Sequence, residues 1–172
     1  MRLFKPFYSN LRKEFYMIKV MFICHGNICR SPMSEYIFKD MVRRLGVSSD
    51  FEIASAATSR EEIGCDIYPP AKKLLKSKGI PFGTHHARQI TAEDYDRYDH
   101  LIIMERYNYA NLCRIIKDDP EDKIALLLYF AGERGDIADP WYSGDFEQAY
   151  SDIVRGCRGL LKYLGYDIDK YK

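Results

Sequence analysis

Hydrophobic positions divide this chain into short apolar runs that alternate with stretches of helical periodicity. Residues 18–23 form a nearly continuous apolar run, which predicts a buried strand over 19–24. Beyond it Met33, Ile37, Met41 and Leu45 recur at four-residue spacing with Phe38 and Val42 beside them. That is one buried face of a helix over 32–45. Phe51, Ile53 and Ser55 alternate as a strand over 51–55. Pro70 early and Gly79 just past the end bracket a helix over 70–78. Thr91 with Asp94 three residues later has the form of a capping box and opens a short helix. Then follow a buried strand over 100–104, a helix over 107–116 and a strand over 124–129. The chain closes on a helix over 146–164 with Tyr150, Ile153, Val154, Cys157, Leu160, Leu161 and Leu164 on its apolar side. Strands alternating with helices imply a parallel sheet covered on both faces. Ligands of such sheets lie beyond the carboxyl ends of the strands, where strand order reverses, and the first strand ends on Cys24.

Composition narrows the partners. The chain has 172 residues, with 26 Lys plus Arg against 25 Asp plus Glu. There is no basic field for nucleic acid, no charge block for an anionic membrane and no apolar run of spanning length. Residues 1–16 mix Phe4, Phe7, Tyr8, Leu11, Phe15 and Tyr16 with Arg2, Lys5, Arg12 and Lys13. They lack the continuous apolar core of a signal peptide. They read as an N-terminal extension before a single domain over 17–172; if they are structured, their aromatics are expected to pack on it as an added helix.

The chemistry concentrates in Cys24-His25-Gly26-Asn27-Ile28-Cys29-Arg30-Ser31, between the first strand and the first helix. A thiol at the start of a helix meets exposed N–H groups and the positive end of the helix dipole, and both favour the thiolate. Arg30 brings a planar fork able to bind two phosphate oxygens, which Lys cannot do. Gly26 permits a bend that turns successive N–H groups inward as an anion nest. Asn27 can hydrogen-bond loop backbone, and Ser31 can donate to the Cys24 sulfur. Pro32 suits the first turn of a helix. Five cysteines, at 24, 29, 65, 113 and 157, cannot all pair within one chain. With Cys24 and Cys29 in one reactive loop, a reducing cytoplasm is the expected setting.

Cys24 to Pro32 resembles the phosphate loop of the low-molecular-weight protein-tyrosine-phosphatases. That family carries its general acid in an Asp-Pro pair near the C-terminus, and this chain has Asp139-Pro140. Residues 55–59, 85–90 and 99–105 also resemble family segments, so the likeness runs from about Met17 to about Asp169. The resemblance implies a flavodoxin-like three-layer sandwich with a four-stranded parallel sheet. It implies metal-independent hydrolysis of phosphotyrosine or a small aryl phosphate through a phosphocysteine, with no cofactor, in a monomer or weak dimer. Cys24 would attack phosphorus. Arg30 and the amides from His25 through Gly26, Asn27, Ile28 and Cys29 to Ser31 would stabilise the equatorial oxygens. Asp139 would protonate the leaving oxygen and then activate water.

Trp141 and Tyr142 match family residues that line the cleft, and Ser55 and His85 match positions that hold Asn27. Glu105 stands where the family usually has Asp, and would pair with Arg30 or cap a helix. His25 replaces an uncharged residue of the cleft wall, so it could contact substrate phosphate. Glu61, within Arg60-Glu61-Glu62, occupies a loop where relatives place an aromatic wall. Cys29 would form a protective disulfide with Cys24 on oxidation, or be a buried structural thiol; a Cys24/His25/Cys29 metal site lacks a fourth ligand. Three other functions compete. An arsenate reductase needs two further redox cysteines, and Cys65 and Cys113 are isolated. Phosphoarginine phosphatases of this fold usually carry Thr where Ile28 sits. A non-catalytic phosphate-binding module would lack the nucleophile, the cation or the acid.

Overall fold

The computed structural model describes residues 16–168. The expected packing of the extension therefore lies outside the described residues except at Tyr16, whose hydroxyl donates to Asp99. In chain order the elements are β1 (Ile18–Cys24), α1 (Arg30–Arg44), β2 (Phe51–Ala57), α2 (Pro69–Ser77), α3 (Ala92–Arg97), β3 (His100–Ile103), α4 (Arg106–Ile116), β4 (Ile124–Leu126), α5 (Pro140–Ser143) and α6 (Phe146–Tyr163).

The four strands pair in parallel in the order β2-β1-β3-β4. Strand periodicity sends alternate β1 residues to opposite faces. Val20, Phe22 and Cys24 join Phe38 of α1, Leu75 of α2 and Leu160 of α6 in the larger core. Met21 and Ile23 join Tyr95 of α3 and Leu112 of α4 in a smaller one. Helices therefore cover both faces, which is the flavodoxin-like three-layer arrangement expected. The chain leaves β1 for β2 on one side and reaches β3 on the other. The order reverses at β1, and the loop after Cys24 opens at that switch point.

The fourth strand departs from expectation. Residues 124–129 were expected to be strand throughout, but only Ile124–Leu126 pairs with β3, and Leu127–Ala131 turns into 3-10 helix. The cause lies on α6. A Cβ on Gly159 would stand 2.2 Å from the Phe130 carbonyl oxygen, and one on Gly156 would stand 2.5 Å from Leu127 Cγ. Two glycines thus let α6 lie directly on the backbone that leaves the sheet. The Thr91–Asp94 capping box forms as expected, with Asp94 N donating to Thr91 Oγ1 and Thr91 N to Asp94 Oδ2.

Candidate active site

The loop from Cys24 to Ser31 is built by its carbonyls. The carbonyl of Cys24 accepts from Thr58 N at 2.9 Å, that of His25 from Ser59 N at 3.0 Å and that of Ile28 from Tyr68 N at 2.8 Å. The Asn27 carbonyl lies 2.7 Å from His85 Nε2, which must carry the proton, and the Cys29 carbonyl accepts from Met33 N in α1. In a trans peptide the carbonyl and the next N–H point to opposite sides. With these carbonyls drawn outward, the N–H groups of residues 25, 26, 28, 29 and 30 turn toward the inside of the loop. Asn27 N shows what they enclose, because it donates to Cys24 Sγ at 3.3 Å.

Asn27 is the keystone. It is fully buried and sits at φ 58, a left-handed conformation that side chains other than Asn and Asp rarely tolerate. Its Oδ1 accepts from Arg88 N at 3.2 Å, and its Nδ2 donates to Ser31 Oγ and Ser55 Oγ, each at 2.9 Å. Ser31 Oγ lies 3.1 Å from Cys24 Sγ. Gly26 has a related reason: a Cβ there would press to 3.3 Å from Glu62 Cγ.

Arg30 begins α1 and is 1% exposed. Its Nη1 donates to the Ile137 carbonyl at 2.9 Å, and its Nη2 donates to Glu105 Oε1 at 2.8 Å and Asp139 Oδ2 at 2.6 Å. Its buried Nε has no hydrogen-bond partner. Burial opposes the charge, yet the Cys24, Glu105 and Asp139 charges more than offset it and hold the guanidinium pKa above its ordinary value. Glu105 fulfils both expected roles. It pairs with Arg30 and is the residue from which α4 starts, with Asn108 Nδ2 also donating to its Oε1 at 3.3 Å.

Asp139 caps α5, accepting from Trp141 N at 3.1 Å through Oδ1 while Oδ2 holds Arg30. The four-residue α5 went unread in the sequence, although Asp followed by Pro is a cap followed by a favoured first helical residue. Trp141 leans on Tyr68, ring centroids 4.7 Å apart, and Tyr68 on Phe146 at 6.0 Å. Tyr142 is 85% exposed. His25 pairs with Glu61 at 3.1 Å, both side chains being exposed. Cys29 is buried in the same loop. Burial above all, then the Cys24 and Asp139 charges, push its pKa up to about 12, so it is a neutral thiol near pH 7.

The structure thus gathers Cys24, Arg30, Ser31, Asn27, Ser55, His85 and Asp139 around one loop, with Trp141, His25 and Glu61 near its mouth. Sequence reasoning missed Tyr68, Ile137 and Glu35, whose Oε2 accepts from Ser55 Oγ at 2.5 Å. Ile137 contributes a backbone carbonyl, which no side-chain pattern announces. Among the described residues the cysteines at 24, 29, 65, 113 and 157 are all free thiols. No helix among them is long and apolar enough to cross a membrane.

Comparison with known proteins gives a concordant result. The family model for low molecular weight phosphotyrosine protein phosphatase matches residues 19–170. The low molecular weight protein-tyrosine-phosphatase YfkJ of Bacillus subtilis is 35% identical over 147 residues, 84% of this chain and 94% of that protein. The crystal structure of YfkJ from that organism aligns with a TM-score of 0.84 over 92% of this chain and 99% of the other. A human low molecular weight phosphotyrosine protein phosphatase is 37% identical over 148 residues, 83% of this chain and 93% of its own length. A Drosophila arginine phosphatase is 30% identical with a TM-score of 0.78, covering 87% of this chain and 99% of that one.

Proposed function

The chain belongs to the low molecular weight phosphotyrosine protein phosphatase family, and on that premise we propose that it hydrolyses phosphotyrosine and related aryl phosphates through a phosphocysteine. The observation that carries this reading is the loop around the Cys24 sulfur. Asn27 N–H and Ser31 Oγ both lie within hydrogen-bonding reach of Sγ, and a buried arginine stands at the next turn with one N–H unpartnered.

The thiolate of Cys24 attacks phosphorus, and the bond from phosphorus to the phenolic oxygen breaks as the S–P bond forms. Inward amides and Arg30 receive the negative charge of the equatorial oxygens, and Nε is a donor left over for one of them. A positive field built from these groups is what makes a metal dispensable. Asp139 supplies a proton to the departing phenolate. Its carboxylate is paired with Arg30. A phosphate dianion competes for that guanidinium and loosens the pair. In the second half, Asp139 takes a proton from water, the hydroxide attacks phosphorus, the S–P bond breaks and the thiolate is restored.

The wall of Tyr68 and Trp141 suits a flat phenyl ring long enough to bring its phosphate down to Cys24, which favours phosphotyrosine over phosphoserine. Likeness to an arginine phosphatase brings in a second reading, cleavage of a phosphorus–nitrogen bond; Ile28, where such enzymes usually carry Thr, favours the oxygen ester. Five free thiols fit a reducing cytoplasm. The test is an assay in chelator on phosphotyrosine, phosphoserine and phosphoarginine peptides. Phosphotyrosine should be turned over fastest and vanadate should inhibit. Faster release from phosphoarginine would transfer the assignment to the second reading, and no release from either phosphotyrosine or phosphoarginine would end both.

A further inference from the structure

Glu35 is a buried carboxylate that the mechanism above does not use. It stands on α1 at 8% exposure, with Oε1 paired to Lys39 Nζ and Oε2 2.5 Å from Ser55 Oγ. It makes no hydrogen bond to Cys24, yet an unbroken chain connects the two: Glu35, Ser55, Asn27, Ser31, Cys24.

The chain has a direction, and its far end sets it. A carboxylate only accepts, whereas a hydroxyl has one proton to give. Ser55 therefore gives its proton to Glu35 and can only accept from Asn27. That requires Nδ2, not Oδ1, to face Ser55, and Arg88 N on the other side of the amide agrees by donating to Oδ1 at 3.2 Å. The second Nδ2 proton goes to Ser31 Oγ. Ser31 thus accepts from Asn27, and its own proton has two acceptors in reach, Cys24 Sγ at 3.1 Å and the Ala56 carbonyl at 3.4 Å. The nearer acceptor, which carries a full charge as thiolate, takes it.

We propose that Glu35 is a positioning residue: it fixes the direction of hydrogen bonding through Ser55 and Asn27 so that Ser31 donates to the Cys24 sulfur. The inference rests on the reading of Cys24 as nucleophile. A group at position 35 that can donate permits the opposite order. Ser55 can accept from it and no longer demands a donor from Asn27, so Arg88 N alone then resists an amide with Oδ1 toward both serines; in that arrangement Ser31 donates to Oδ1 and the sulfur loses its donor. Lys39, itself part exposed, keeps the second carboxylate oxygen occupied from the surface side.

The test uses the full chain and two readouts, turnover of an aryl phosphate and the rate at which iodoacetamide alkylates Cys24 at neutral pH, resolved by mass spectrometry. Glu35→Gln should slow alkylation about tenfold, the weight of one hydrogen bond to a charged group, with a matching fall in kcat. A merely structural role would loosen the loop and speed access to a buried sulfur. Ser55→Ala cuts the chain at its second link and should slow alkylation to a similar degree. Adding Glu35→Gln to Ser55→Ala should then slow it no further. A wild-type alkylation rate in Glu35→Gln, or the same tenfold fall on top of Ser55→Ala, overturns the proposal. If Glu35→Gln does not fold, a wild-type alkylation rate in Ser55→Ala does so. Failure of the phosphatase reading is distinguishable, since it would show as undiminished turnover in Cys24→Ser.

Discussion

The two ends of the parallel sheet handle polar groups differently. At the carboxyl end Asn27, Ser31, Ser55 and His85 are buried and bind one another or the loop backbone. The buried Arg30 binds Glu105, Asp139 and the Ile137 carbonyl, and among the described residues only its Nε and Thr58 Oγ1 are left without a partner there. At the amino end the charges sit at the rim: Asp99 accepts from Lys19 N at 2.7 Å and from Tyr16, and Glu52 pairs with an exposed Arg97. There His100 leaves its buried Nε2 without a partner. A buried polar group costs little when its neighbours satisfy it and much when they do not. Burial at the carboxyl end shapes a site; at the amino end it only weighs on stability.

Substitutions can break that contrast, beginning with the largest expected effect. Cys24→Ser should lower turnover by about 10⁴-fold or more while the thermal midpoint and phosphate binding hold; retained turnover would remove the nucleophile. Asp139→Ala should cost about 10²–10³-fold in kcat for phenyl phosphates with poor leaving groups and distinctly less for good ones. A uniform loss across leaving groups would take Asp139 out of the acid role.

Away from the loop, the loss should appear in stability. Gly159→Ala drives a Cβ into the Phe130 carbonyl, and backbone cannot yield as a side-chain tip would. Overpacking of this kind costs about 1–3 kcal/mol, each kcal/mol worth about 2–4 °C of melting temperature in a chain of this size. An unchanged Tm by calorimetry would contradict the close approach of α6.

The smallest effect belongs to His100. Burial holds its folded-state pKa below the ordinary value, more strongly than Asp99 raises it. As pH falls through about 6.5 the unfolded chain takes up a proton that the folded one refuses. Stability is lost over that interval, and the loss stops below the folded pKa. His100→Phe should flatten the drop in Tm between neutral and mildly acidic pH and leave turnover unaltered. An equal drop in both proteins would clear His100 of the effect.

Much of this was legible in the sequence because neighbouring residues carried it. β1 and α1 announce themselves by a continuous apolar run and by four-residue spacing, and the loop proposed to hold phosphate is contiguous from Cys24 to Ser31. What escaped reading depends on residues that meet only after folding. Leu127 to Ala131 has the apolar character of a strand, and only Gly156 and Gly159, on another element, show why it leaves the sheet. Tyr68 precedes two prolines in a segment with no periodicity, and its stacking partner Trp141 lies far away in the sequence. Glu35 lies on the helix face that its spacing marks as mixed, so nothing local distinguishes it from a solvated acid.

The ion pair between Arg30 and Asp139 gives the loop an ionic preference of its own. A monovalent visitor such as chloride would have to displace a carboxylate of equal charge, and the exchange yields little electrostatic advantage. A doubly charged oxyanion gains more from the same guanidinium and amides than the carboxylate it dislodges. If the loop binds phosphate as proposed, it should discriminate by valence before any ring touches Trp141, and inhibitors with a single negative charge should begin at a disadvantage that added aromatic contact must overcome.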